Sequence, residues 1–190
     1  LYRFVSSGDA GPLTRRIPEQ SIYIAGISKA FFAGLRVSFV AAPLRFCNRI
    51  AQAVVDTLWM APALNAEIAC ECITGGLSEE IIAAKKQELR RRVSRMEETL
   101  AGYEYRYAKD SMFVWLQLPD YWRSGEFEKT AADHGLNVVA SDRFSVGSEA
   151  PPNYIRVSLS GALNMAEFER GLDILGKMLR FEIGTAGGVI

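Results

Sequence analysis

The chain has 190 residues, enough for one large domain or for one complete domain and part of another. Hydrophobic residues make up 49% and charged residues 23%, which excludes disordered, collagenous and disulfide-scaffold classes. The 22 basic and 22 acidic residues cancel, so the chain lacks the basic excess that lets a protein displace counterions from DNA. Its apolar runs break before the ~18 residues that span a bilayer, and no basic, then apolar leader opens it; the reading is cytoplasmic, with no membrane contact. Cys47, Cys70 and Cys72 form no CxxC pair and are read as free, buried thiols, while a single histidine, His134, leaves no metal-site pattern. Leu1 stands where a start methionine would, and the opening LYRFV is strand-like, so a longer parent protein is expected.

In chain order, SIYIAGISKAFFAGLRVSFVAAP (21 to 43) predicts two apolar strands around SKAFFAGL. Neither alternates, the pattern of strands buried on both faces of a parallel or mixed sheet. Residues 44 to 73 are helical by period, with Phe46, Ile50, Val54 and Leu58, then Leu64, Ile68 and Cys72 on the apolar face, and Pro62 starting the second half. Gly75 and Gly76 end it. Ser78 is the expected N-cap of the next helix, with Leu77 and Ile82 as a hydrophobic staple, and that helix runs to about Ala101. YEYRYA and SMFVWLQLP read as strands joined at Lys109-Asp110, SGEFEKTAADHG as a short helix ending at His134, and LNVVAS and YIRVSLSG as strands. Asn164 and Glu167 cap a last helix whose Met165, Phe168, Leu172, Leu175 and Leu179 share a face, and GTAGGVI is a frayed tail.

No GxSxG, GxxxxGK, HExxH or GxGxxG signature is present. What remains is Ser28-Lys29 in a loop after one strand and Arg36 before the next. A lysine among Ile27, Phe31 and Phe32 is expected to be desolvated, which lowers its pKa and exposes the neutral amine that attacks aldehydes. An arginine offers a fixed fork to a phosphate, and a serine a hydroxyl. On chemistry alone the spacing also fits an ordinary surface pair.

The wording of this segment resembles the lysine motif of fold-type I pyridoxal-phosphate enzymes, the aspartate aminotransferase superfamily, which runs Ser-x-Ser-Lys and then Gly-Leu-Arg-x-Gly. The blocks WMAPALNAEIACECITGG, FVWLQLP, WRSGEFE and YIRVSLSGALNMAEFERGLDIL continue the resemblance in order along nearly the whole chain. Within that superfamily it is most similar to the aminotransferase-like effector domain of bacterial MocR regulators, a branch of the GntR family. The resemblance implies an α/β fold: residues 1–76 as the end of the large cofactor-binding domain, 77–183 as the small C-terminal domain with a mostly antiparallel sheet, and 184–190 as tail. It implies that Lys29 links pyridoxal 5'-phosphate, that Arg36 and Ser28 bind its phosphate, that Tyr2 hydrogen-bonds its ring oxygen, and that Arg156 grips the carboxylate of an amino acid. It also implies a homodimer, and DNA binding through a winged-helix domain absent from this chain.

Two positions depart from the motif. Gly26 replaces its first serine and Ser38 its last glycine, so one phosphate donor is expected to be missing. The ring-nitrogen aspartate, the stacking aromatic and the glycine-rich phosphate turn precede Leu1 in the resemblance. The 190 residues alone are therefore expected to hold no cofactor, to perform no transamination and to self-associate through an uncovered apolar face. The leading expectation is a transcription regulator that senses an amino acid or the cofactor; the alternatives are a true aminotransferase and an α/β scaffold that binds nothing.

Overall fold

A computed structural model describes residues 11–108 and 111–183. It divides into two compact units, the first ending at Lys86 and the second starting at Gln87. Tyr2, the Lys109-Asp110 turn and the tail lie outside the described residues.

In the first unit, β1 (Tyr23–Gly26) and β2 (Ser38–Ala41) pair antiparallel, with Tyr23 opposite Ala41 and Gly26 opposite Ser38. The expectation of doubly buried strands in a parallel or mixed sheet is corrected here: the two strands form a ribbon, and Ile24 and Val40 are 67% and 46% exposed. Their apolar side chains carry sheet-forming preference, but a two-stranded ribbon has no layer of its own to bury them. The loop between the strands folds inward instead. Ile27, Phe31 and Val37 make an apolar cluster with Ala69 and Cys72, against which Ala30, Leu35 and Ile81 pack.

Two helices follow, α1 (Leu44–Leu58) and α2 (Ala63–Thr74), broken around Pro62, whose ring lacks the N–H an uninterrupted helix would need. The expected apolar face of α2 is rotated. Leu64 is 71% exposed and Ile68 is also exposed, whereas the small Ala69 and Cys72 are buried. Close approach of the Ile27–Val37 loop selects small residues over the longer ones beside them. On α1, Phe46 and Ile50 are half-buried, and Val54 and Leu58 are exposed. Of the three free thiols, only Cys72 is buried; Cys47 and Cys70 are exposed, which corrects the expectation for both.

Helix α3 (Leu77–Thr99) begins without the expected Ser78 cap. Gly76 adopts a left-handed backbone (φ 81°) and its carbonyl accepts from Glu79 and Glu80 N–H, so the first turn is closed by backbone alone. The Ser78 hydroxyl, displaced from that role, lies 3.0 Å from Glu79 Oε2.

The second unit is a four-stranded antiparallel sheet in the order β3 (Tyr105–Arg106), β4 (Phe113–Gln117), β6 (Tyr154–Ser158), β5 (Val139–Ala140). Strands β4 and β6 alternate strictly: Val114, Leu116, Ile155 and Val157 are buried, and their neighbours Phe113, Trp115, Tyr154 and Arg156 are partly open. Phe127 and Ala131 of α4 (Ser124–Asp133) and Phe168, Leu172, Leu175 and Leu179 of α5 (Met165–Leu179) are buried with that inner row, as are Met96 and Leu100. Helix α4 ends in a double turn: Gly135 N–H donates to Ala132 and Leu136 N–H to Ala131, with Gly135 at φ 80°. Only a residue without Cβ takes that backbone cheaply, and this is why the helix stops after His134.

Candidate functional site

In the first unit the Ile27–Val37 loop presents the candidate side chains. The strand register continues one step past Gly26 and Ser38 through Ile27 N–H donating to the Val37 carbonyl at 3.3 Å. The next pair outward is Ser28 and Arg36, and Arg36 Nη1 donates to Ser28 Oγ at 3.3 Å. Lys29 follows Ser28 in a turn closed by Phe31 N–H on the Ile27 carbonyl. The structure thus brings Ser28 and Arg36 together, with Lys29 adjacent in sequence.

Lys29 is exposed, a correction to the desolvated lysine expected from its neighbours. The reason is directional: Ile27 and Phe31 point into the apolar cluster, and the turn between them carries Lys29 outward. What is held instead is its backbone. Lys85 Nζ donates to the carbonyls of Lys29 (3.3 Å) and Phe31 (3.2 Å), and burial lowers the pKa of that ammonium. Asn65 Nδ2 donates to the Leu35 carbonyl at 3.0 Å. Lys85 and Asn65 escaped sequence reasoning because each acts through backbone carbonyls far away in the chain, a relation that no local spacing encodes.

Arg36 sits at φ 54°, ψ 35°, in the left-handed region that a long, β-substituted side chain rarely takes. Such a conformation costs of order 1 kcal/mol or more and persists where the surroundings impose it, commonly at ligand sites. Arg36 makes no ion pair among the described residues. A guanidinium without a carboxylate, a neighbouring hydroxyl and an accessible primary amine form a donor set that fits a phosphate and an aldehyde, the two reactive ends of pyridoxal 5'-phosphate.

In the second unit Arg156 stands on the open face of the sheet, opposite Trp115 on β4 and Val139 on β5. Its guanidinium carbon lies 4.6 Å from the Phe113 ring centroid and 4.7 Å from that of Phe144. Nε is buried and has no hydrogen-bond partner, and the residue makes no ion pair among the described residues. Stacking between rings leaves the in-plane N–H edge of a guanidinium for a planar anion such as a carboxylate. Arg106 lies across Trp115 from Arg156 and lines a cavity of about 370 Å³ with Trp115, Phe144, Pro152 and Tyr154. Among the described residues no group of His, Cys, Asp and Glu could hold a metal, and no helix is long and apolar enough to cross a membrane.

No family model matches the chain. Two curated relatives do. The HTH-type transcriptional regulator YdeF of Bacillus subtilis is 32% identical over 178 residues, covering 94% of this chain, and YdfD of the same organism is 25% identical over 165 residues, covering 84%. The chain spans 38% and 33% of the length of these regulators. Among solved structures, the α-aminoadipate aminotransferase LysN of Thermus thermophilus, crystallised with N-(5'-phosphopyridoxyl)-L-leucine, superposes with a TM-score of 0.78 at 25% identity over 95% of this chain and 48% of its own. An aromatic aminotransferase from Pyrococcus horikoshii gives 0.80 at 20% identity, over 96% and 50%. The chain therefore has the aminotransferase fold, and its sequence relatives are HTH-type transcriptional regulators.

Proposed function

We propose that this chain is the aminotransferase-like part of a MocR-type transcriptional regulator, that it holds pyridoxal 5'-phosphate through Lys29, and that the protein responds to an amino acid or to the cofactor. In this reading residues 1–76 end the cofactor-binding domain and 77–183 form the small domain. DNA is bound through a domain outside this chain, the protein is a cytoplasmic homodimer, and Tyr2 contacts the cofactor ring. The observation that carries the reading is the Ser28–Arg36 pair beside an accessible Lys29, with Arg36 strained and free of carboxylates among the described residues. When bound, the cofactor supplies an aldehyde and an electron-withdrawing ring. Lys29 Nζ holds it covalently, Arg36 and Ser28 neutralise and orient its phosphate, and Lys85 and Asn65 keep the loop carbonyls fixed so that the donors stay aligned. Arg156 takes the carboxylate of the amino acid.

The stacked Arg156, with an unsatisfied Nε, also favours a second reading, a true aminotransferase in which Lys29 moves the proton. Borohydride reduction of the complete protein with pyridoxal phosphate, followed by peptide mapping, is expected to label Lys29, and Lys29→Ala to abolish the label. A label on another lysine overturns the assignment. An amino acid that changes operator retention without forming its 2-oxo acid supports regulation; oxo-acid formation over many turnovers, with a second 2-oxo acid added to accept the amino group, supports catalysis.

A further inference from the structure

Gly26 and Ser38, the two departures from the lysine motif, are direct cross-strand partners. A Cβ built on Gly26 would lie 3.3 Å from Ser38 Oγ, so the Ser38 hydroxyl already leans over the space that a side chain at 26 would enter. Ile27 and Val37, one step further along the ribbon, are buried in the apolar cluster. Alternation along the ribbon sets Gly26 and Ser38 on the face opposite to Ile27 and Val37. Beyond that rung Ser28 and Arg36, the latter in a left-handed backbone, are joined by their side chains.

We propose that Ser38 is a further phosphate-binding residue, its hydroxyl reaching from β2 to supply the donor that Gly26 lacks on β1. The proposal rests on the cofactor reading above; in it the hydroxyl missing at 26 is supplied from across the ribbon. With Ser38 in place, a serine at 26 would set its Cβ 3.3 Å from Ser38 Oγ, a few tenths of an ångström tighter than ordinary contact, so the two positions share one space. Two hydroxyls and a guanidinium then form a cradle for a phosphate dianion, which accepts from all three at once.

The test compares pyridoxamine phosphate with pyridoxamine, two probes that cannot link to Lys29 and differ only in the phosphate, on the complete protein by calorimetry. Ser38→Ala should weaken the phosphorylated probe about tenfold, as the loss of one charge-assisted hydrogen bond would, and leave the other unchanged. The exchange variant, Gly26→Ser with Ser38→Gly, should restore the preference. An unchanged ratio of the two affinities in Ser38→Ala, or equal weakening of both probes, overturns the role. Borohydride reduction of the same protein preparations, loaded with pyridoxal phosphate in place of the amine probes, separates the two claims. Lys29 labelled with the ratio unchanged defeats Ser38 alone; the ratio lost in Ser38→Ala with no label on Lys29 defeats the cofactor linkage alone.

Discussion

At Arg156, two phenyl rings lie within 5 Å of the guanidinium carbon and no carboxylate balances the charge among the described residues. A buried N–H without an acceptor costs roughly 1 to 3 kcal/mol. Arg36 has the opposite environment: it is exposed, strained at φ 54° and, among the described residues, hydrogen-bonded to a neutral hydroxyl. The two arginines therefore separate by ligand. Arg36→Ala should weaken cofactor binding by about 1.5 to 3 kcal/mol, the value of a charge-assisted phosphate contact. Arg156→Ala should weaken the amino-acid response while the Lys29 label persists, and Arg156→Lys should not rescue it, because an ammonium lacks the planar fork. Titration of cofactor and of amino acid against each variant gives the comparison, and identical effects of both alanine variants on cofactor retention would refute the division.

Among the elements, α5 is the one most completely specified by its own residues. Asn164 Oδ1 accepts from Glu167 N–H at 2.9 Å, as the Asn-x-x-Glu spacing predicts. The reciprocal bond is shifted by one residue: Glu167 Oε2 accepts from Leu163 N–H at 2.7 Å rather than from the cap residue itself. Asn164→Ala leaves the Glu167 N–H without its side-chain acceptor and should destabilise the second unit by about 1 kcal/mol in urea denaturation, with the slope of the transition unchanged. Asn164→Asp should lose little, since a carboxylate caps equally well. Helix α3 shows the contrary case: its Ser78 matches the cap pattern, but the left-handed Gly76 beside it closes the turn first.

For the whole chain, the two units bury their apolar residues unequally. The second encloses Val114, Leu116, Ile155, Leu159, Leu175 and Leu179 almost completely. The first leaves Ile24, Phe39, Val40, Leu44, Leu58, Trp59 and Leu64 exposed on the ribbon and the following helices. Apolar surface gathered in this way seldom stays solvated on a monomer. The 190 residues expressed alone should self-associate with increasing concentration, as read by light scattering, and should bind a hydrophobic dye. A monodisperse monomer at high micromolar concentration would show that this face is tolerated in water.

Local pattern was sufficient for what depends on neighbours in the chain. The 3.6-residue period of α5, the alternation of β4 and β6, the break at Pro62, the stop at Gly135 and the Asn164 cap are decided within a few residues, and all were legible there. Lys29, Ser28, Arg36 and Arg156 were singled out through the resemblance to the aminotransferase superfamily, since the spacing by itself also fits an ordinary surface pair. Which way a side chain faces was decided by contacts distant in sequence. Lys29 is turned outward because Ile27 and Phe31 are drawn against Ala69 and Cys72, and α2 is rotated so that its small residues meet that loop. The pairing of Gly26 with Ser38 follows from strand register, which turns two apparent defects twelve residues apart into one rung of a ribbon. Register and burial sum interactions over the folded chain, and no window of sequence contains that sum.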